Sequence, residues 1–389
     1  MMPFRRVLVA AGLLACLAAP VRAQEPFRIG LILPMTGPFQ GTGRQIEAAV
    51  KLYMAQHGDV VAGRKVSVVL RDDAGVADTS RRLAQELVVR DHVQVLAGFG
   101  LTPLAMAVAP IATQAKVPEV VMVAATSVIT EKSPFIVRVA QVLPQPAVIA
   151  ADWALKNGIR KVVSVVSDYG PGYDAEKWFN DRFKAGGGQV LAALRVPLAN
   201  PDFAPFLQRV KDSNPDAMFV FVPAGVGNIF AKQFVERGLD KSGIRFIATG
   251  DVTDDDTLNG MGDAMLGVVS AGPYSAAHPS AVNKAFVTAF KAANGGMRPN
   301  FIAVFGYDGM AAIYQALEKT KGNSDGAALV EAMKGMAWES PRGPMRIDPQ
   351  TRDVIHNIYM RKVERVDGEL YNVEFETFPD VKDPAKAPK

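Results

Sequence analysis

The residues best suited to chemistry are small and polar side chains that follow predicted strands. In the clearest case, the apolar run at residues 120–123 gives way to Ala124, Ala125 and Thr126. Ligands of open parallel sheets bind beyond the carboxyl ends of the strands. The alanines would leave room there, and the Thr126 hydroxyl could donate a hydrogen bond to a small carboxylate. The same residues would also serve a purely structural role, in which the alanines let a helix pack closely on the sheet and Thr126 begins a turn. The ligand site and the structural role both stay open.

Three further loops have the same character. Each follows a predicted strand and precedes a predicted helix, where unpaired backbone N–H groups and the helix dipole favour an anion. The loops read LPMTGPFQGTG, LAGFGLTPLA and VSDYGPGYD. Their candidate ligand-binding residues are Phe39, Gln40, Thr42, Gly100, Leu101, Thr102 and Tyr169. Taken alone, Tyr169 fits an ordinary loop aromatic better than the wall of a binding site.

Sequence motifs for catalysis or metal binding are missing. The four histidines stand far apart, and the sequence contains no H-E-x-x-H, G-x-S-x-G or Walker A motif. Three aspartates at 254–256 lack the glycine and glutamate of a calcium loop. We expect them to begin a helix, where negative charge is stabilising. The sequence therefore predicts no metal, no cofactor and no enzymatic activity.

The N-terminus predicts export. Arg5 and Arg6 precede an apolar run at residues 7–19, and a small-residue cleavage site ends at Ala23, which is the layout of a secretory signal peptide. A lipoprotein anchored through Cys16 is the less favoured alternative. Cleavage would lower the net charge of +4 towards zero. The mature chain would then lack the basic excess that binds nucleic acid and any second long apolar run for a membrane.

The elements that would position the loops alternate between strand and helix. The chain has 389 residues, 49% of them hydrophobic, which is enough for two domains. The alternation runs from residue 27 to 123, and a second run begins at residue 144. Such regularity predicts two α/β lobes, each a parallel sheet with helices on both faces. A helical region, a β-hairpin turning at Asp367-Gly368 and a frayed polar tail over 380–389 are expected to follow.

Five segments, taken in order, resemble a known family. They are FRIGLILPMTGPFQGTGRQIEAAVKLYMAQHG, VSVVLRDDAGVADTSRRLAQELV, VLAGFGLTPLAMAVAPIATQAKVPEVVMVAATS, VSDYGPG and FGYDGMAAIYQAL. Together they look like the periplasmic leucine/isoleucine/valine-binding protein family, the type I solute-binding component of ABC importers. The resemblance extends over residues 27–375, and the order of the segments behind a signal peptide makes it specific.

The resemblance implies two doubly wound lobes joined by three crossing segments, with the ligand trapped between them by hinge closure. Lobe 1 would comprise residues 24–139 and 275–342, and lobe 2 residues 140–274 and 343–379. The crossings would fall near 138–141, 271–275 and 340–344. A carboxylate site is implied at Thr102, Ala124 and Thr126. The remaining implied ligand-binding residues are Pro223, Ala224, Gly250, Asp251 and Tyr307.

The class of ligand stays open between two alternatives. Family members that bind aliphatic amino acids have serines in the loop after the third strand, and an acidic residue in the second lobe for the ammonium group. Here that loop reads Gly100-Leu101-Thr102, and the acidic position aligns with Gly250, one residue before Asp251. A buried ammonium without a partner is unfavourable. An aromatic carboxylate held by Phe39 and Leu101 is therefore as well supported as a hydrophobic amino acid.

The function implied by the resemblance is that of a monomeric periplasmic receptor. It would deliver a small carboxylate ligand to an ABC permease in the inner membrane. A ligand sensor on the same fold, signalling to a membrane receptor, is one alternative. An exported α/β enzyme is another, which the missing nucleophile–base pair and metal site disfavour.

Overall fold

The structure is a computed structural model and describes residues 25–387. The predicted signal peptide, with Cys16 and the cleavage site after Ala23, lies outside the described residues. The strands are β1 (Phe27–Leu33), β2 (Val60–Val61), β3 (Arg64–Asp72), β4 (Val95–Gly98), β5 (Glu119–Val121), β6 (Ile136–Arg138), β7 (Lys161–Ser167), β8 (Gln189–Val196), β9 (Ala217–Phe221), β10 (Arg245–Thr249), β11 (Val269–Gly272), β12 (Ala337–Ser340), β13 (Gly343–Ile347), β14 (Val354–Val366) and β15 (Glu369–Val381). The helices are α1 (Gln40–His57), α2 (Ala77–Val89), α3 (Thr102–Ala115), α4 (Pro144–Lys156), α5 (Gly170–Ala185), α6 (Ala204–Ser213), α7 (Gly227–Glu236), α8 (Leu258–Met261), α9 (Ala281–Ala293), α10 (Phe301–Lys319) and α11 (Gly326–Met333).

The strands form two sheets, each of which is the centre of one lobe. The six-stranded sheet of lobe 1 has the order β2-β3-β1-β4-β5-β6 and is parallel except for β2. The nine-stranded sheet of lobe 2 has the order β12-β13-β14-β11-β10-β9-β7-β8, with β15 paired to β14. Its strands β7 to β11 are parallel, whereas β14 is antiparallel to β11, β13 and β15. The predicted two-lobe α/β fold is confirmed, with the difference that both sheets are mixed.

Helices cover both faces of each sheet. In lobe 1, α1, α9, α10 and α11 pack on one face and α2 and α3 on the other. In lobe 2, α4 and α5 cover one face and α6 and α7 the other. None of the helices in the described range combines the length and the apolar character that a membrane span needs.

The chain passes between the lobes in more than one place. One connection joins β6 to α4, and a second joins β11 to α9. The third is not a single loop: β12 and β13 pair into the sheet of lobe 2, whereas Met345, Ile347 and Val354 pack in the core of lobe 1. Two of the expected crossings are thus loops, and at the third the strands β12 and β13 pair with the sheet of lobe 2 and also pack against the core of lobe 1.

Two local predictions are wrong. The aspartates at 254–256 do not begin a helix, because α8 starts only at Leu258. Asp254 is buried and accepts a hydrogen bond from Asn300 Nδ2 at 2.9 Å, so it joins two distant segments instead. Over residues 380–387 the expected frayed tail is held in place, since β15 continues to Val381 and Lys386 Nζ donates to Asp353 Oδ2 at 2.6 Å.

A buried glutamate in β5 leads to a prediction about stability. Glu119 is fully buried, and neither of its carboxylate oxygens has a hydrogen-bond partner among the described residues. Burial raises its pKa well above the usual value. Because the folded pKa lies above the unfolded one, ionisation of the unfolded chain lowers stability progressively as the pH rises through that interval.

Replacing this side chain with an apolar one of similar length should therefore stabilise the fold. Glu119→Met is expected to raise the free energy of unfolding at pH 8 by about 1–3 kcal/mol, and by less at pH 4. Urea denaturation at the two pH values measures the effect. The exposed Glu236→Met variant is the control, with little change expected. A Glu119→Met protein no more stable than the wild type at pH 8 would show that the carboxyl is satisfied in solution.

Candidate functional site

A cavity lies between the two lobes, beyond the carboxyl ends of β1, β4 and β5 on one side and of β7, β9 and β10 on the other. The space among its lining residues is about 380 Å³ when open solvent is included, and about 30 Å³ of it can hold the centre of a water-sized sphere. The residues that line it are Phe39, Thr42, Gly100, Leu101, Thr102, Val123, Ala124, Ala125, Leu143, Tyr169, Pro171, Phe221, Pro223, Ala224, Asp251, Phe301 and Ile302. The rule that ligands of α/β sheets bind at this edge accounts for its position.

One end of the cavity carries hydroxyl groups at a helix N-terminus. The Thr102 and Thr126 hydroxyl oxygens are 2.8 Å apart, and both side chains are buried. Leu101, the N-cap of α3, is extended and makes no side-chain capping bond. Since Pro103 has no N–H and Leu104 donates to the Leu101 carbonyl, the helix end presents the Thr102 N–H. Hydroxyls and a backbone N–H at the positive end of a helix suit a carboxylate.

The backbone around this end is fixed by a close approach of two strands. Gly98, the last residue of β4, has a φ of +111°. A Cβ atom there would lie 2.4 Å from the Ile32 carbonyl oxygen of β1. Only glycine fits this position, which turns the chain from β4 into the Gly100–Thr102 loop.

The walls of the cavity are mainly apolar and aromatic. Tyr169 and Phe221 stack with their ring centroids 6.0 Å apart and their planes 19° from parallel. Phe39 packs against the core of lobe 2, although it belongs to lobe 1. Phe301 and Ile302, at the start of α10, complete the wall from lobe 1. Such walls suit an aromatic ring or a branched aliphatic side chain.

Asp251 is the one charged residue in the lining. It is 7% exposed, and its Oδ2 accepts a hydrogen bond from Gln141 Nε2 at 3.3 Å. Burial raises its pKa to about 6, while the nearby positive charge of Arg361 acts in the opposite direction. The carboxylate is thus mostly ionised at neutral pH, and it can accept a hydrogen bond from an ammonium or a hydroxyl group.

The structure brings most of the predicted site residues together. Those that line the cavity are Phe39, Thr42, Gly100, Leu101, Thr102, Ala124, Ala125, Tyr169, Pro223, Ala224 and Asp251. Thr126 lies directly behind the lining, where its hydroxyl contacts that of Thr102. Tyr169 is a cavity wall rather than an exposed loop aromatic.

Three predicted residues lie elsewhere. Gln40 is exposed at the start of α1. Tyr307 faces α1 instead of the cavity, and its hydroxyl donates to Gln56 Oε1 at 2.7 Å. A Cβ at Gly250 would lie 2.4 Å from Arg361 Nη2, so the guanidinium fills the space where relatives were expected to carry an acidic residue.

Six lining residues were missed by the sequence analysis: Val123, Leu143, Pro171, Phe221, Phe301 and Ile302. Phe221 could have been found, because it ends strand β9 and so lies at the same edge as the other loops. Phe301 and Ile302 carry no such signal, since they begin a helix that follows another helix. Within residues 25–387, no group of three or more His, Cys, Asp or Glu side chains is arranged to hold a metal ion.

Two α/β lobes that enclose a partly polar cavity define a type I solute-binding protein. The family model described as "Periplasmic binding protein" matches residues 26–369. The chain belongs to this family, whose members bind solutes. The predicted family and solute-binding function are confirmed.

Relatives of known name or structure agree with this assignment. The chain is 45% identical over 98% of both chains to "Leu/Ile/Val-binding protein homolog 6" of Brucella melitensis. It is 63% identical, with a TM-score of 0.92, to a solute-binding protein of an ABC transporter from Rhodopseudomonas palustris BisB5, solved with 3,4-dihydroxybenzoic acid; 93% of this chain and 99% of that chain are covered. A protein from R. palustris HaA2, solved with p-hydroxybenzoic acid, is 44% identical with a TM-score of 0.90, and the coverage is 93% and 100%.

Proposed function

We propose that the protein is the periplasmic receptor of an ABC importer for hydroxylated benzoic acids. The observation that carries this proposal is the make-up of the cavity: hydroxyls at a helix N-terminus from lobe 1, aromatic walls, and a single buried carboxylate from lobe 2. A hydroxybenzoate has a carboxylate, a flat ring and a hydroxyl in the same order. The dihydroxybenzoic acid bound by the 63% identical relative supports the same class.

Each part of such a ligand has a partner in the cavity. The carboxylate would accept hydrogen bonds from the Thr102 hydroxyl and N–H. The ring would lie against Tyr169 and Phe221, where its burial contributes most of the binding energy. A ring hydroxyl would donate to the Asp251 carboxylate, a charge-assisted bond. Closure of the lobes would exclude water from these contacts.

A branched-chain amino acid is the second candidate. The specific observation in its favour is Asp251, because a buried carboxylate could pair with an α-ammonium group. The 45% identical Brucella relative carries a leucine/isoleucine/valine-binding name. The two candidates make different demands on Asp251. An amino acid would pair its ammonium group with the carboxylate, whereas a hydroxybenzoic acid would donate its ring hydroxyl to it.

Ligand screening on the mature protein separates the candidates. The protein is unfolded, dialysed and refolded to remove any ligand that co-purifies, and thermal shifts are then measured with 4-hydroxybenzoate, 3,4-dihydroxybenzoate, benzoate, leucine, isoleucine and valine. Ligands that bind only the folded state raise the melting temperature. We expect shifts with the hydroxybenzoates. Shifts confined to the amino acids would replace our proposal with the second candidate.

Asp251→Asn should distinguish hydroxylated from unsubstituted rings. The amide replaces a charged acceptor with a neutral one, so we expect 4-hydroxybenzoate affinity to fall about tenfold. Benzoate, which has no hydroxyl to donate, is the internal control and should bind the variant as it binds the wild type. Titration calorimetry measures both. An equal loss of affinity for the two acids would show that the ring hydroxyl does not bind Asp251.

The proposal extends to location and partners. The protein would be exported with cleavage after Ala23, act as a monomer, deliver its ligand to a permease in the inner membrane, and leave the ligand chemically unchanged. N-terminal sequencing of protein from the periplasmic fraction tests the cleavage. Chromatography of the ligand after long incubation tests for turnover, and any product would favour an enzyme.

A further inference from the structure

Ser127, which follows Thr126 at the ligand site, is held by three distant side chains. Its N–H donates to Asp174 Oδ2 at 2.8 Å, and its hydroxyl donates to the Asp383 carboxylate. Its carbonyl accepts from Arg138 Nη2 at 3.2 Å. Ser127 and Arg138 belong to lobe 1. Asp174 belongs to lobe 2, so its bond to Ser127 joins the lobes. Asp383 lies in the C-terminal segment, which Lys386 ties to Thr130 of lobe 1 as well as to Asp353.

The two aspartates reach Ser127 from different elements. Asp174 lies in the first turns of α5, the helix that connects β7 to β8 of the nine-stranded sheet. Asp383 lies just after β15, in the C-terminal segment that the sequence predicted to fray. The same segment is fixed by Lys386, whose Nζ donates to Asp353 Oδ2 at 2.6 Å.

These contacts lie largely out of water. Ser127 is 4% exposed, Asp383 is 5% exposed and Asp174 is half-buried. Burial raises the pKa of Asp174 to about 6, with a further increase from Asp383 that is opposed by the Ser127 N–H, Arg138 and Lys386. A buried carboxylate is tolerated where it accepts hydrogen bonds, and Ser127 supplies one to each aspartate.

We propose that Asp174 forms a latch on Ser127 that holds the lobes closed and positions Thr126 at the ligand site, while Asp383 holds the Ser127 hydroxyl in place. When the lobes separate, Asp174 leaves Ser127 and becomes hydrated. The latch therefore stabilises the closed, liganded state and has little effect on the open one. Asp174 acts as a positioning residue through Ser127, and this role does not depend on which carboxylate ligand the cavity takes.

Variants of the latch test the proposal. Asp174→Ala removes the bond between the lobes, and Asp181→Ala, on the exposed side of the same helix, is the control. The probe is whichever of 3,4-dihydroxybenzoate and leucine binds the wild type. We expect Asp174→Ala to raise the dissociation constant about tenfold, mainly through a faster off-rate. The control should bind as the wild type does.

The unliganded melting temperature separates a latch from a general structural role. We expect it to stay at the wild-type value in Asp174→Ala, because the contact is absent from the open state. Asp174→Asn keeps an acceptor oxygen and should restore most of the affinity. Unchanged affinity in Asp174→Ala, or weaker binding together with a matching loss of unliganded stability, would overturn the proposal.

Discussion

Replacing Arg138 by methionine is expected to lower the free energy of unfolding by about 3–5 kcal/mol, the usual cost of breaking a buried ion pair from one side. Arg138 is fully buried, and its Nε and Nη2 donate to Asp353 Oδ1 at 2.8 and 2.5 Å. Its Nη1 also donates to the Thr126 carbonyl at 2.6 Å. Methionine fills much of the space but leaves a buried carboxylate and several carbonyls short of donors. Urea denaturation of the unliganded protein measures the loss.

A matched pair on the surface is the control for this prediction. Arg182 and Asp152 form a similar two-bonded pair, but both side chains are largely exposed. Arg182→Met should therefore change stability by less than about 1 kcal/mol. Equal effects of Arg138→Met and Arg182→Met would mean that burial does not strengthen the inner pair.

The second large effect is expected at Gly170, where the lobes touch at the rim of the cavity. A Cβ there would lie 2.5 Å from Thr126 Oγ1 and 3.4 Å from Thr102 Cγ2. Gly170→Val would therefore obstruct closure, because the threonines belong to lobe 1 and the glycine to lobe 2. Overlap of this kind costs about 1–3 kcal/mol, which corresponds to a loss of ligand affinity of about 5- to 150-fold. Calorimetric titration with the ligand found by screening measures it.

Stability of the unliganded protein shows whether the effect is one of closure. With the lobes apart, the valine would meet solvent, so the unliganded melting temperature should be close to that of the wild type. Gly260→Val, on the exposed surface of lobe 2 where a Cβ would meet only Asn228 Oδ1 at 4.0 Å, is the control and should bind normally. Wild-type affinity in Gly170→Val would show that the ligand is held without this approach of the lobes.

The cavity between the lobes could be predicted where its lining depends on short-range sequence. A strand that ends in small or polar residues and is followed by a helix places its loop at one edge of a parallel sheet. Gly100, Thr102 and Ala124 were found in this way, and all three line the cavity. Asp251 came from the resemblance to the family and also lies there. The alternation of strands and helices likewise determined the two-lobe fold, because a repeated hydrophobic period is a local property.

The sequence by itself determined the class of fold and the edge of each sheet at which the cavity lies, and it predicts an export signal. Tertiary structure decided which distant side chains reach that edge. Tyr307 faces α1 because of the position of α10, while Phe301 at the start of that helix enters the cavity. Arg361 fills the space beside Gly250, and Lys386 fastens the C-terminal segment to Asp353. These contacts join residues far apart in the chain, and the periodicity of a segment carries no information about its partner in another lobe.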